Sequence, residues 1–203
     1  MQRLTRYLFT LLCGGVLALL VYLCLLPLRR KHLASQNLCS SAPREAVASL
    51  FWMFCGGMAL LTLTPWWVSS SLLDLLHGHP WNIGEYPFFE LGAVNLVPFR
   101  ALGDRFIDLG NIIMFVPFGF FAALLWRGYT VGRVLGTGLA ITGSIECWQI
   151  FIGRAFDIDD LLLNTLGVLA GYGLWRLFCR LTPGSAAAFQ VKIRHISEKR
   201  GNR

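Results

Sequence analysis

From residue 8 to residue 28 the chain carries no charged side chain, and the run then stops at Arg29-Arg30-Lys31. An α-helix needs about 20 consecutive apolar residues to cross the hydrocarbon core of a bilayer. Inside lipid only helices and closed barrels satisfy their own backbone groups. Further apolar stretches of similar length lie at 46–68, 107–126, 131–152 and 160–181. The sequence therefore predicts an all-α, polytopic helical membrane protein with about five transmembrane helices. Composition points the same way. Of 203 residues, 55% are hydrophobic and 14% charged, with a mean hydropathy of +0.57, whereas a soluble domain has about a quarter of its residues charged. Disordered chains are poor in apolar residues and rich in charge, so disorder is excluded as well. Arg3 and Arg6 precede the first stretch as they would in a signal peptide, but its core is too long and no small-x-small cleavage site follows. It is expected to be retained.

Lys and Arg in the connections set orientation, because they concentrate on the cytoplasmic side. With the N-terminus outside and the C-terminus inside, only Arg3, Arg6, Arg100, Arg105 and Arg154 of the 18 Lys and Arg fall on the outer side. Nearly all acidic residues, by contrast, fall outside; Glu45 and Glu198 are the inner exceptions. The net charge of +7 thus reads as an orientation signal, and nothing in it calls for nucleic acid. The six cysteines form no CxxC pair and are expected to behave as small hydrophobes.

The outer loop, 69–106, contains Ser71-Leu72-Leu73-Asp74-Leu75-Leu76, expected to form a short interfacial helix, and an aromatic, turn-rich segment from Pro80 to Phe89. Long connections of this kind are often functional; this one is expected to lie on the outer leaflet or to dip into it. In the C-terminal tail Phe189, Ile193 and Ile196 recur at helical spacing among basic residues, which suits an amphipathic helix on an anionic membrane surface.

The informative residues are those a bilayer penalises. Ionisable groups within spans are expensive and usually face the bundle interior or a cavity. Asp108 and Asn111 open the third span, with Pro117 further along it. The fourth carries Gly136, Gly143 and Glu146 at one-face spacing, then Gln149, so its glycines are expected to admit a neighbouring helix. Arg154, Asp157, Asp159 and Asp160 fill the connection to the fifth span, whose Asn164 and Gly167 follow Asp160 on one face. One Asp there serves as a helix cap; three exceed that need. The three helix ends are expected to form one polar pocket at the outer leaflet.

These residues also carry a family resemblance. Asn95-Leu96-Val97-Pro98-Phe99 is similar to the N-L-x-P-F element of the VanZ-like family, and the segment from Asn111 through Phe115 and Pro117 to Gly119 resembles its N-(I/L)-x-x-F-x-P-x-G element. Glu146 and Gln149 match the end of S-x-x-E-x-x-Q, with Ser144 one residue too close. Gly153-Arg154, Asp157-Ile158-Asp159-Asp160 and Asn164-Thr165-x-Gly167 resemble the G-R…D-(I/V)-D-D-x-x-x-N-T-x-G segment. The family is named for an accessory protein that raises bacterial resistance to the lipoglycopeptide teicoplanin. Membership implies a bacterial inner-membrane protein acting at the cell envelope, and supplies no reaction.

The expected organisation is an N-terminal transmembrane helix and basic inner loop (1–45), a four-helix VanZ-like domain (46–182) and a basic tail (183–203). Three functions compete. One is a site that binds an amphiphile, a lipid-linked envelope precursor or a lipoglycopeptide through Asn95, Asn111, Glu146, Gln149, Arg154, Asp157, Asp159, Asp160 and Asn164. Another is a membrane enzyme acting on a lipid-linked substrate, with Glu146, Asp159 or Asp160 as acid/base or as ligands of an oxygen-loving cation. The last is a transporter or scaffold, disfavoured by the lack of a repeated half. No cofactor motif occurs, and His77 and His79 form only a lone His-x-His, so no cofactor and no metal are expected. Association of copies through the glycine faces is a further expectation.

Overall fold

A computed structural model describes residues 2–78, 87–99 and 105–193. The long helices are α1 (Gln2–Ser35), α2 (Ala42–Leu63), α4 (Arg105–Leu125), α5 (Val131–Gln149) and α6 (Ile158–Leu181). Shorter pieces are helices α3 (Trp66–Leu76) and α7 (Ser185–Ala188) and the two-residue strands β1 (Leu38–Cys39), β2 (Val94–Asn95), β3 (Phe156–Asp157) and β4 (Lys192–Ile193). Among the described residues, α1, α2, α4 and α6 are long and apolar enough to cross a membrane. The chain is a multi-pass helical membrane protein. Leu8, Leu12, Leu17 and Leu20 stand exposed on α1, a surface only lipid covers comfortably.

Five apolar spans were expected, and α5 does not meet that description. It is a regular helix of 19 residues, about 28 Å long, but its glycines, threonines, Arg133 and Glu146 dilute it. Its polar side chains Thr142, Glu146 and Gln149 are buried, while Leu139, Ile141 and Trp148 stand outside. Polarity here is turned inward, against α6.

Two other boundaries differ from the apolar runs. At 34 residues, or about 51 Å, α1 outruns a bilayer core and carries Arg29-Arg30-Lys31 within the helix. The second apolar run breaks at Thr64, extended at φ −112°, ψ 151°, because a residue before proline is pushed out of the helical region. The short helix expected in the outer loop is α3; it starts at Trp66, directly after that break.

Two helix pairs form the closest contacts. In α1–α2, Gly14, Gly56 and Gly57 sit where a Cβ would strike the partner helix. In α4–α6, a Cβ at Gly119, Gly167 or Gly171 would overlap the carbonyls of Val168, Ile112 or Val116. Small residues at these positions let backbones approach, which is how helices associate in lipid. The glycines expected to do this on α5 do not: Gly136 meets nothing within 4 Å and Gly143 only Leu161 Cδ1 at 3.7 Å. Gly138 takes that role, packing on Val168 beside Met58, Phe115 and Val134. It shares a face with Thr142 and Glu146 at spacings of four, whereas Gly136 lies half a turn away.

At the basic end, where α1 turns into α2, Arg44 is buried and donates to the Leu125 carbonyl of α4 (3.4 Å). The tail differs from the expected amphipathic helix. After one turn of α7, β4 pairs antiparallel with β1, and Ser41 Oγ donates to the Ala188 carbonyl at 2.7 Å. Gly184, at φ +86°, interrupts any continuous helix out of α6. Ile196 lies outside the described residues.

Candidate functional site

At the opposite, acidic end, α2 stops with its last carbonyls unpaired within the helix. Three side chains from α5 and the turn beyond it reach them. Arg154 Nη1 donates to Leu61 O (3.4 Å), Gln149 Nε2 to Thr62 O (3.2 Å) and Trp148 Nε1 to Leu63 O (2.8 Å). A carbonyl without a partner is costly at a membrane-embedded helix end, and the guanidinium also suits the negative end of the helix dipole.

The start of α6 is held from two sides. Asp157 is its N-cap, accepting the Asp159 backbone N–H at 2.9 Å, so one carboxylate serves an ordinary capping role. The Asp157 backbone N–H in turn donates to Glu146 Oε2 at 3.0 Å. Glu146 is 1% exposed.

Residues 87–99 then fold over this junction as a strap. Parallel pairing joins β2 to β3, matching Val94 with Phe156 and Asn95 with Asp157, and Glu90 bridges to Ile152. Backbone bonds run from Gly92 N to Ile150 O (2.7 Å) and from Gly153 N to Glu90 O (2.7 Å). Gly92 is obligatory there, since a Cβ would overlap the Arg154 carbonyl. Asn95 Nδ2 donates to Asp157 Oδ1 at 3.2 Å, and the Phe99 backbone N–H donates to Asp159 Oδ1 at 2.6 Å. Asn111, from the first turns of α4, donates to Asp160. Both Glu146 and Asp160 lie within electrostatic reach of Arg154 and of each other, and Asp108 acts on Asp160.

The nine residues expected to form one pocket divide into three groups. Asn95, Glu146, Asp157, Asp159, Asn111 and Asp160 do gather at the α4, α5 and α6 ends. Gln149 and Arg154 turn instead toward the carbonyls of α2. Asn164 lies one turn deeper, buried, with Nδ2 donating to Thr142 Oγ1 at 2.8 Å. Thr142 was legible, four residues before Glu146 on the same face; Trp148 and Gly92 gave no signal. Of the aromatic loop segment, Pro80 to Tyr86 lies outside the described residues, as does His79. No group of three or more His, Cys, Asp or Glu side chains suited to a metal occurs among the described residues.

Beneath the cap, a cavity of about 610 Å³ opens between α2, α4 and α5. Its walls are apolar, with Phe54 and Met58 from α2, Phe115 and Phe118 from α4, and Ile145 and Trp148 from α5. That volume lies within the common range for small-molecule sites. Trp148 belongs to both features, since its ring lines the cavity while its Nε1 caps α2.

A bundle of long apolar helices closed at one end by a hydrogen-bonded carboxylate cap defines the class: a polytopic helical membrane protein. Residues 46–179 match the family described as VanZ/LLP1, and the chain belongs to that family. It is also similar to Protein VanZ of Enterococcus faecium, with 28% identity over 123 residues, covering 60% of this chain and 73% of the relative. No solved structure matches.

Proposed function

We propose that the protein holds an amphiphilic component of the bacterial cell envelope, such as a lipid-linked precursor, and thereby changes sensitivity to teicoplanin-type lipoglycopeptides. The observation that carries this reading is the double role of Trp148, whose ring lines the apolar cavity while its Nε1 bonds the last turn of α2 beside Gln149 and Arg154. An apolar chain fits against Met58, Phe115 and Ile145, and the polar part of the ligand meets Asp157, Asp160 and Asn111, which keep partial exposure. The family match and the resemblance to Protein VanZ support the envelope role.

In this reading the protein sits in the bacterial inner membrane with the acidic cap outward, the N-terminus outside and the C-terminus inside. Support comes from the basic residues at the other end, Arg29 to Lys31, Arg44, Arg127, Arg176 and Arg180, which favour the cytoplasm. Exposed Cys39, in β1 at that end, provides the check. A membrane-impermeant maleimide labels it in inside-out vesicles and leaves it unlabelled in intact cells.

The function is tested by filling the cavity. Ala59→Trp, expressed at wild-type abundance in a glycopeptide-susceptible host, abolishes the change in teicoplanin sensitivity that the wild-type chain confers. An undiminished effect in that variant would sink the proposal.

A further inference from the structure

A second groove, of about 400 Å³, lies between α1 and α2 toward the basic end, away from the cap and lined mostly by α1, which precedes the segment matched to the family. Val21, Leu25 and Leu28 of α1 and Trp52 of α2 form its apolar wall, and Arg29 and His32 close one end. From Val21 to His32 is about 16 Å along a helix axis. That is close to half of a hydrocarbon core about 30 Å thick. Because the apolar run stops at Leu28, the wall spans acyl-chain depth in one leaflet and the two basic side chains stand at headgroup level.

Arg29 is held in place for such a role. Its Nη1 donates to Tyr22 Oη (2.6 Å) and Glu45 Oε2 (2.8 Å), and its guanidinium lies 5.7 Å from the Tyr22 ring centroid. Among the described residues its Nε and Nη2 meet no acceptor, and its side chain is 30% exposed. Glu45 is already matched by Arg44 at 3.6 Å, while Arg30, Lys31 and His32 stand exposed beside the groove. The local charge is therefore positive.

We infer that this groove binds one anionic glycerophospholipid of the leaflet at the basic end. One acyl chain lies against Val21, Leu25, Leu28 and Trp52, and the phosphate meets Arg29 and His32. Apolar length and charge fall in the order that such a lipid presents them. A zwitterionic lipid fits the wall equally well but gains less from the basic end.

The test uses the full chain, purified in detergent, equilibrated with equal dioleoyl-phosphatidylglycerol and dioleoyl-phosphatidylcholine, and read by native mass spectrometry. Wild type retains one phosphatidylglycerol in preference to phosphatidylcholine. Arg29→Gln weakens retention by about fivefold, the worth of one basic side chain at an anionic surface. Leu25→Trp, which fills the groove, abolishes it. His32→Glu puts a carboxylate at the headgroup end, leaves the Tyr22–Arg29–Glu45 hydrogen bonds in place and weakens retention, so with Leu25→Trp it decides the matter even if Arg29→Gln fails to fold. Equal retention of the two lipids, or wild-type retention by Leu25→Trp, would overturn the inference. So would retention lost in Ala59→Trp but kept in Leu25→Trp, which places the lipid in the other cavity, or a dimer mass abolished by Leu25→Trp, which places a second copy in the groove.

Discussion

The carboxylate of Glu146 accepts the backbone N–H of Asp157 at 3.0 Å, across the turn that joins α5 to α6. An acidic side chain only 1% exposed therefore anchors the first turn of the next helix. That bond, the packing of α6 against α5 and α4, and the strap above them each have consequences open to measurement.

Glu146→Ala leaves the Asp157 N–H beside an empty site, at a cost of about 1–3 kcal/mol for a buried donor without a partner. The unfolding midpoint in detergent falls accordingly. Glu146→Gln keeps an acceptor oxygen and loses less stability, yet alters teicoplanin sensitivity because the cap has lost a negative charge. Equal stability losses for Ala and Gln would show that the bond contributes nothing.

Thr142 and Asn164 form a polar pair between α5 and α6, and the Asn164 Oδ1 is buried with no partner among the described residues. Thr142→Val leaves Asn164 wholly unpaired, whereas Thr142→Val with Asn164→Leu removes both polar groups together. A double-mutant cycle should give a coupling of about 0.6 kcal/mol, and at most about 1.7, as for other hydrogen bonds between membrane helices. Strictly additive losses would mean that the 2.8 Å contact is not an energetic unit.

Gly171→Ala drives a methyl group into the Val116 carbonyl of α4, and Gly136→Ala places one in open space. The first variant should lose folded yield and thermal stability. The second should be neutral or slightly stabilised, since Ala exceeds Gly in helix propensity by up to about 1 kcal/mol. Size-exclusion profiles and melting curves of the two proteins, run side by side, decide this.

Gly92→Ala forces the strap away from Arg154. Limited proteolysis should then cut within residues 87–99 faster than in wild type while the helices stay intact. Teicoplanin sensitivity should revert toward that of cells lacking the protein. An unchanged cleavage rate would remove the strap from the account.

Much of this was legible in the residues. Helix type and four of the five expected spans followed from apolar length, and the convergence of Asn111, Glu146 and Asp160 followed from their places at three helix ends on one side. What periodicity could not provide was direction around the axis in α5. Gly136 and Gly143 share a spacing with Glu146, but the buried face is set by Gly138 packing on Val168, a tertiary fact. Gln149 and Arg154 were expected to face a ligand and instead serve the carbonyls left by the break at Thr64-Pro65. That demand originates about ninety residues away in sequence, beyond any local pattern. The strap was read as a loop because β2 and β3 are two residues each, too short to show alternation.

Asn95 and Asp157 are separated by 62 positions, and the chain between them contains all of α4 and α5. During synthesis the strap has therefore left the ribosome long before its partner exists, and long-range pairing of this kind forms late. It can lock only when α5 has delivered its distal end and α6 has begun. Closure of the cap is thus a report that the last helices have reached their places, and a chain arrested before α6 would carry residues 87–99 as an open, protease-accessible segment.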